Sequence, residues 1–326
     1  MSGRASRRAW WRRGVATALV LLLAATSSAC SARSTEWNDS AYEIAGGGAN
    51  GVYYAYGDEL ARELSESLGI RVSAAETAGS VDNLLRVSSG EALLGFAQGD
   101  AAADAVAGVG AFDEPMPVQA VARLYDEYLH VVVRADSDIA ALSDLAGRTV
   151  SLGAENSGVN VIAARALDAA DVDVATITDP RLDLGESISA LERSEIDGFF
   201  WVGGIPTPGI AELATTTPVR LVPIEQTWVT TINARYSDAY RPSDFPVALY
   251  GLDESAPTMA VPNYLVTSSD TPDGVVRDVL TSLFTVRTDI AQRVPVASLL
   301  DRRQAIFTGP VDLHPGAVEY YRDQRD

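Results

Sequence analysis

From residue 41 onward, short apolar runs alternate with stretches whose apolar positions recur every three or four residues. Residues 42–45 read as a strand, and 52–67 carry Val52, Ala55, Tyr56, Leu60 and Leu64 at helical spacing up to Gly69. Residues 70–75 give the next strand. Thr77, Ala78, Gly79 and Ser80 then open a second helix marked by Val81, Leu84, Leu85 and Val87. Residues 93–97 form a short buried strand that runs into Gln98, Gly99 and Asp100 and a third helix start. This β-α-β-α-β-α order predicts an α/β fold, a mostly parallel sheet covered by helices. In such sheets ligands sit at the carboxyl ends of the strands, where the loops around Gly46–Gly51, Thr77–Ser80 and Gln98–Asp100 fall.

The pattern then repeats in plan, without a repeat in sequence. Residues 118–124 and 128–134 read as two β-rich runs that lead out of the first unit. Residues 143–147 suggest a short capped helix and 149–152 a strand. A second glycine loop, 153–158, opens a helix bearing Ile162, Ala163, Ala166 and Leu167. A helix near 185–193, a strand at 198–202, a turn at 203–208, a helix at 208–214 and a strand at 219–222 follow. Residues 225–256 look irregular, 258–266 β-like, 275–290 an amphipathic helix, and a final helix fits the end of the chain.

A strand that stops at Gly46, Gly47 and Gly48 and restarts as a helix after Asn50 and Gly51 leaves backbone N–H groups without helical partners. Those groups and the positive end of the helix dipole make a site for an anion. Gly46, Gly48 and Gly51 also satisfy G-x-G-x-x-G, the spacing of a dinucleotide loop. The acidic residue such a site needs about 20 positions on is represented only by Glu76, which disfavours that reading. A glycine turn without a ligand is the remaining alternative.

Catalytic chemistry is thinly provided. His130 sits in an apolar strand and His314 precedes a proline, so both read as structural. No His, Cys or carboxylate spacing fits a metal site, and nothing calls for a cofactor. Tyr53 and Tyr56 share a helix face for packing, yet Tyr53 lies in the first turn, where its ring could cover a ligand.

The 326-residue chain carries 44 acidic and 25 basic residues, for a formal charge of −19, and every basic residue is arginine. Such acidity argues against nucleic acid and anionic membrane surfaces as partners, and requires any anionic ligand to be held by local donors. Residues 1–29 have the layout of an export signal: Arg4, Arg7, Arg8, Arg12 and Arg13, a short apolar core from Val15 to Ala25, then small residues. Removing them takes away five arginines and no acids, which moves the charge from −19 to −24. Ser6-Arg7-Arg8-Ala9-Trp10-Trp11 resembles a twin-arginine signal, and an ordinary signal rich in arginine fits as well. Cys30, the one cysteine, follows Ser28-Ala29 as at a lipoprotein cleavage site. Its acylation is favoured because an unpaired thiol in an exported protein is otherwise a liability. Residues 30–40 would then be a polar tether.

The succession Gly46-Gly-Gly-Ala-Asn-Gly-Val-Tyr-Tyr54, Glu76-Thr-Ala-Gly-Ser-Val-Asp-Asn-Leu84, Gly90-Glu-Ala-Leu-Leu-Gly-Phe-Ala-Gln-Gly-Asp100 and His130-Val-Val-Val-Arg-Ala-Asp-Ser137 resembles the TAXI family. These are the extracytoplasmic solute receptors of one branch of tripartite ATP-independent periplasmic (TRAP) transporters. Asp197-Gly-Phe-Phe200, Pro206-Thr-Pro208 and Leu313-His-Pro-Gly-Ala317 extend the match over nearly the whole mature chain, with Ala49, Ala78 and Gly99 as departures. The resemblance implies a two-lobed, type II periplasmic-binding-protein-like fold, with lobe I at 41–128 and 258–326 and lobe II at 129–257. It also implies a receptor, not an enzyme, that passes a small carboxylate of the glutamate or dicarboxylate kind to an ion-gradient-driven TRAP permease; the membrane is reached through a lipid anchor if Cys30 is acylated. A receptor that signals to a membrane partner is the alternative. If both glycine loops face one cleft, the expected ligand-binding residues are Gly48, Asn50, Gly51, Val52, Tyr53, Ser80 and Gln98 from one lobe. Ser157, Gly158, Asn160, Gly204 and Pro206 are expected from the other.

Overall fold

The computed structural model describes residues 37–38 and 40–324. The export signal expected at 1–29 and the acylation expected at Cys30 lie outside the described residues, as does most of the 30–40 tether.

The first part of the chain folds as β1 (Ala41–Ala45), α1 (Val52–Leu68), β2 (Arg71–Ala75), α2 (Ser80–Ser89), β3 (Leu94–Gln98) and α3 (Gly99–Ala107). β1 pairs in parallel with both β2 and β3. Each of these helices ends at a glycine in the left-handed region, Gly69, Gly90 and Gly108, where a side chain would be strained.

The long strand β4 (Val118–Arg134) follows. Then come β5 (Val150–Ser151), α4 (Gly158–Ala169), α5 (Leu184–Glu192), β6 (Gly198–Gly203), α6 (Pro208–Thr216) and β7 (Val219–Leu221). The chain continues through α7 (Gln226–Arg235), β8 (Arg241–Phe245) and β9 (Ala256–Ser268), and returns to the first half as α8 (Asp273–Ala291) and α9 (Pro315–Asp323).

Among the described residues one mixed sheet runs in the order β2-β1-β3-β9-β4-β6-β5, with β7 also on β4 and β8 on β9. Its centre is antiparallel: β9 pairs with β3, β4 and β8, and β4 pairs with β6 and β7. Parallel pairs occur at β1–β2, β1–β3 and β5–β6. The sheet is therefore less parallel than the alternation of elements predicts, because two long strands reverse direction to serve both halves.

β4 corrects the expectation of two separate runs at 118–124 and 128–134. It is continuous, and register shifts at Ala120/Ala122 and Arg123/Tyr125 let it bend without ending. The stretch 225–256, expected to be irregular, contains α7 and β8. α7 has a weak apolar stripe, with only Val229 and Ile232 buried, and β8 contains Pro242 and pairs with β9 alone among the described strands.

Each half has its own apolar core. Leu84, Val87, Phe112, Tyr264 and Val266 pack in the first. In the second, Leu129, Ile162, Leu167, Phe200 and Ile232 form one cluster and Phe199, Ile210 and Leu213 another. His130 is buried against Phe245 and shares a hydrogen bond with the Tyr250 hydroxyl at 3.2 Å; burial lowers its pKa to about 4, so it stays neutral. His314 accepts the Gly316 N–H and caps α9. No helix among the described residues is long and apolar enough to cross a membrane.

Candidate functional site

A cavity of about 470 Å³ lies between the two halves, lined from one side by the loops after β1, β2 and β3 and from the other by those around Gly153–Val159, Leu182–Glu186 and Phe200–Gly203. Its size is that of a small-molecule site. The N-termini of α1, α2 and α4 converge on it. Gly51 and Gly79, which precede α1 and α2, have no side chain to cap them. Ser157 caps α4 by accepting the Asn160 N–H at 3.1 Å, which leaves the earlier N–H groups of that turn open.

The loops are held by short polar braces. Thr77 Oγ1 accepts the Gly47 N–H at 2.8 Å and donates to Asn83 Oδ1, whose Nδ2 donates to the Phe96 carbonyl. The Ser80 hydroxyl accepts the Gln98 N–H at 3.1 Å. These bonds tie the first three strand-to-helix loops into one rigid wall.

The two walls touch. The Asp82 N–H donates to the Asn156 carbonyl at 3.1 Å. At Gly158 a Cβ would lie 2.0 Å from Gln98 Oε1 and 2.7 Å from Ser80 Oγ, so a side chain here would force Gln98 and Ser80 to shift or α4 to draw back. At Gly185 a Cβ would meet Asn50 Nδ2 at 2.5 Å. The Trp201 ring on β6 faces Gly51, and its Nε1 donates to Thr207 Oγ1 at 3.2 Å.

Behind the cavity a buried polar cluster joins the same halves. Arg165 on α4 donates to Asp100 on α3 at 3.1 Å, and also to Asp104 and to the Tyr240 hydroxyl. Tyr240 donates in turn to Asp100 at 2.5 Å. Burial raises both aspartates and the Arg165 charge opposes that rise.

The floor is the least solvated part. Glu127 on β4 is 1% exposed and lines the cavity. The Tyr53 hydroxyl donates to its Oε2 at 2.7 Å and the Tyr125 hydroxyl to its Oε1 at 3.4 Å. Burial pushes the Glu127 carboxyl up to about 8, although Tyr53, the adjacent Gln98 amide and Tyr125 each favour the charged form. Gln98 Oε1, in the same wall, is buried without a hydrogen-bond partner. The charged side chains lining the cavity are Glu76, Glu127, Asp183 and Glu186, all acidic.

Of the residues expected from sequence, Gly48, Asn50, Gly51, Val52, Tyr53, Ser80, Gln98, Ser157 and Gly158 line this cavity. Asn160, Gly204 and Pro206 do not. Asn160 sits one turn into α4 with its N–H on Ser157, Gly204 packs against Val296 and Tyr125, and Pro206 is an exposed cis-proline. Gly203 lines the wall in place of Gly204. Tyr53 takes the packing role considered for it, stacking on Phe96 at 5.3 Å between ring centroids, and its hydroxyl reaches Glu127 at the cavity floor.

Sequence reasoning missed Glu127, Trp201 and the Asp183–Glu186 rim. Glu127 fell in the supposed gap between two strands. The available signal was a carboxylate two residues from Tyr125 in a β-rich stretch, since both then share a face, while Asp126 beside it points to the other.

Residues 44–324 match the NMT1-like family, and the chain belongs to it. Among solved structures it is similar to PhnD1 from Prochlorococcus marinus (MIT 9301) in complex with methylphosphonate. That match has 11% identity, covers 88% of this chain and 96% of that chain, and has a TM-score of 0.52. A periplasmic transporter matches at 12% identity over 87% of this chain and 91% of that one, with a TM-score of 0.52. The periplasmic aliphatic sulphonate binding protein SsuA from Escherichia coli matches at 14% identity over 88% and 79%, with a TM-score of 0.47. The fold is that of the two-lobed periplasmic binding proteins.

Proposed function

From membership of the NMT1-like family and the cleft between its lobes, we propose that this protein is an extracytoplasmic receptor that captures a small solute and delivers it to a membrane transporter. The observation that carries this reading is the cavity lined from both halves of the chain, with three helix N-termini directed at it. A ligand there touches both walls at once, so its contacts favour the closed arrangement over an open one. The lobes would be residues 41–128 with 258–326, and 129–257, the division falling within β4 and β9.

The solute we favour carries a carboxylate. Open N–H groups at the starts of α1 and α4 suit carboxylate oxygens, and among the described residues no basic side chain lines the cavity to hold an anion otherwise. The succession of motifs shared with TAXI receptors favours a TRAP permease as the recipient. An import system of the kind that works with other two-lobed receptors is the alternative partner. The PhnD1 complex supports the broader reading alone, as a structure of this fold holding a small anion.

Calorimetric titration of the mature chain with amino acids, dicarboxylates, sulfonates and phosphonates tests the receptor reading. Saturable binding of a carboxylate at micromolar or tighter affinity supports it. Tight binding of a sulfonate or phosphonate with no carboxylate binding would replace the solute class, and silence across the panel would sink the receptor reading.

A further inference from the structure

The helix α4 meets the opposite lobe along one stripe. Gly158, Val161 and Arg165 recur at i, i+3 and i+7, which places them on a single face. Gly158 lies against Gln98 and Ser80, Val161 packs on the core that holds Leu84 and Phe112, and Arg165 reaches Asp100 and Asp104. Gly158 belongs to the cavity wall. Arg165 stands roughly 10 Å further along the helix axis and does not line the cavity.

The two acids answer that stripe with one of their own. Asp100 and Asp104 are four residues apart and share a side of α3. Arg165, Asp100 and Asp104 are all buried. Tyr240, from the same lobe as Arg165, donates to Asp100 at 2.5 Å and accepts from Arg165 at 3.1 Å. The Arg165 guanidinium also stands 4.9 Å from the centre of the Tyr236 ring. Every bond from Arg165 or Tyr240 to an acid therefore crosses from one proposed lobe to the other, and none of these four side chains lines the cavity.

We infer that Arg165 with Asp100 and Asp104 forms a latch between the lobes, and that Arg165 is a positioning residue that retains the solute by holding α4 against α3. This deepens the proposed receptor role and rests on it. Opening parts the charges and lets water reach each of them. Closing desolvates all three, and the Arg165 fork offsets that cost only by reaching both carboxylates at once. The contact therefore favours one discrete closed position over a loose approach. It acts without touching the solute, so it slows release more than capture, whatever solute is bound. Without Arg165, closing would bury two acids that have no counter-charge, and the open arrangement would keep them in water.

Spin labels on Ser89→Cys and Glu212→Cys, exposed positions in the two lobes, report the distance between them in a mature chain carrying Cys30→Ser. Arg165→Met should lower the closed fraction along a solute titration, its zero point included, and the milder Asp104→Asn should shift it in the same direction. The probe is the tightest binder among L-glutamate, L-leucine, succinate, taurine and methylphosphonate. Stopped-flow kinetics should show its release at least about tenfold faster from Arg165→Met, with association changed by less than about threefold. Adding Asp100→Asn and Asp104→Asn to Arg165→Met should recover part of the closed fraction, since no unpaired charge is then buried. A merely structural Arg165 would lower the unfolding midpoint alone. Distances and release rates equal to the parent's in both Arg165→Met and Asp104→Asn would overturn the latch and leave the receptor standing. If nothing in the set binds, the receptor reading falls, and the closed fraction without solute decides the latch by itself.

Discussion

The Tyr53 hydroxyl donates a 2.7 Å hydrogen bond to Glu127, across from the first turn of α1 to the middle of β4. A residue that begins a helix is thereby fixed to the strand that both halves share. The bond also lowers the Glu127 pKa against the effect of burial. Tyr53→Phe removes that donor and should raise the carboxyl further, as a carbon-detected titration of the Glu127 carboxyl would show. Stability should fall by about 1.5–3 kcal/mol above pH 8, where the carboxylate is charged, and less at pH 5. Solute affinity should fall at either pH, because the ring also borders the cavity.

Stability should decline with rising pH for a related reason. An unfolded glutamate titrates near 4.3. In the folded chain the Glu127 carboxyl is pushed up to about 8. Between those values the native state holds a proton that the unfolded state has lost, so each pH unit in the window costs up to about 1.4 kcal/mol. Asp100 and Asp104 are shifted in the same direction and add to the slope. Urea unfolding from pH 4.5 to 8.5 should show a shallower decline in Glu127→Gln than in the parent chain. Parallel curves would mean that Glu127 is ionised throughout.

Arg165 carries the only positive charge in the cluster with Asp100, Asp104 and Tyr240. Arg165→Met leaves two buried carboxyl groups without a counter-charge and should cost about 3–5 kcal/mol in urea unfolding at pH 7. Adding Asp100→Asn and Asp104→Asn to that variant should restore part of the loss. A single variant within 1 kcal/mol of the parent would mean that the aspartates are already neutral.

Gly158→Ala places a methyl group 2.0 Å from Gln98 Oε1. Gln98 and Ser80 must then shift or the walls draw apart, and solute affinity should drop by roughly ten- to a hundredfold while circular dichroism stays unchanged. Unaltered affinity would show that the ligand-bound form is more open than this structure.

The mature chain is expected to begin at an acylated Cys30, which intact-mass measurement of protein from the exporting cell would detect. An unmodified Cys30 at the N-terminus would remove the lipid anchor and leave the extracytoplasmic-receptor reading in place.

The order of strands and helices was legible because local periodicity carries it: Val52, Tyr56, Leu60 and Leu64 mark α1 in the sequence and are buried in the structure. The glycine loops were legible for the same reason, since a strand-to-helix turn has a local signature. That is why nine of the expected residues reach one cavity. Sequence alone therefore determined which loops border the cavity. It did not determine that β4 is continuous, because the register shifts at Ala120/Ala122 and Arg123/Tyr125 depend on pairing with β9, far away in the chain. Only that continuity brings Glu127 under Tyr53 and beside Gln98. The approach of Gly158 to Gln98, and of Arg165 to Asp100, likewise exists only once two lobes close. The chemistry of the cavity floor was thus a tertiary decision: desolvation and pairing are properties of the assembled walls, and no local pattern of residues encodes them.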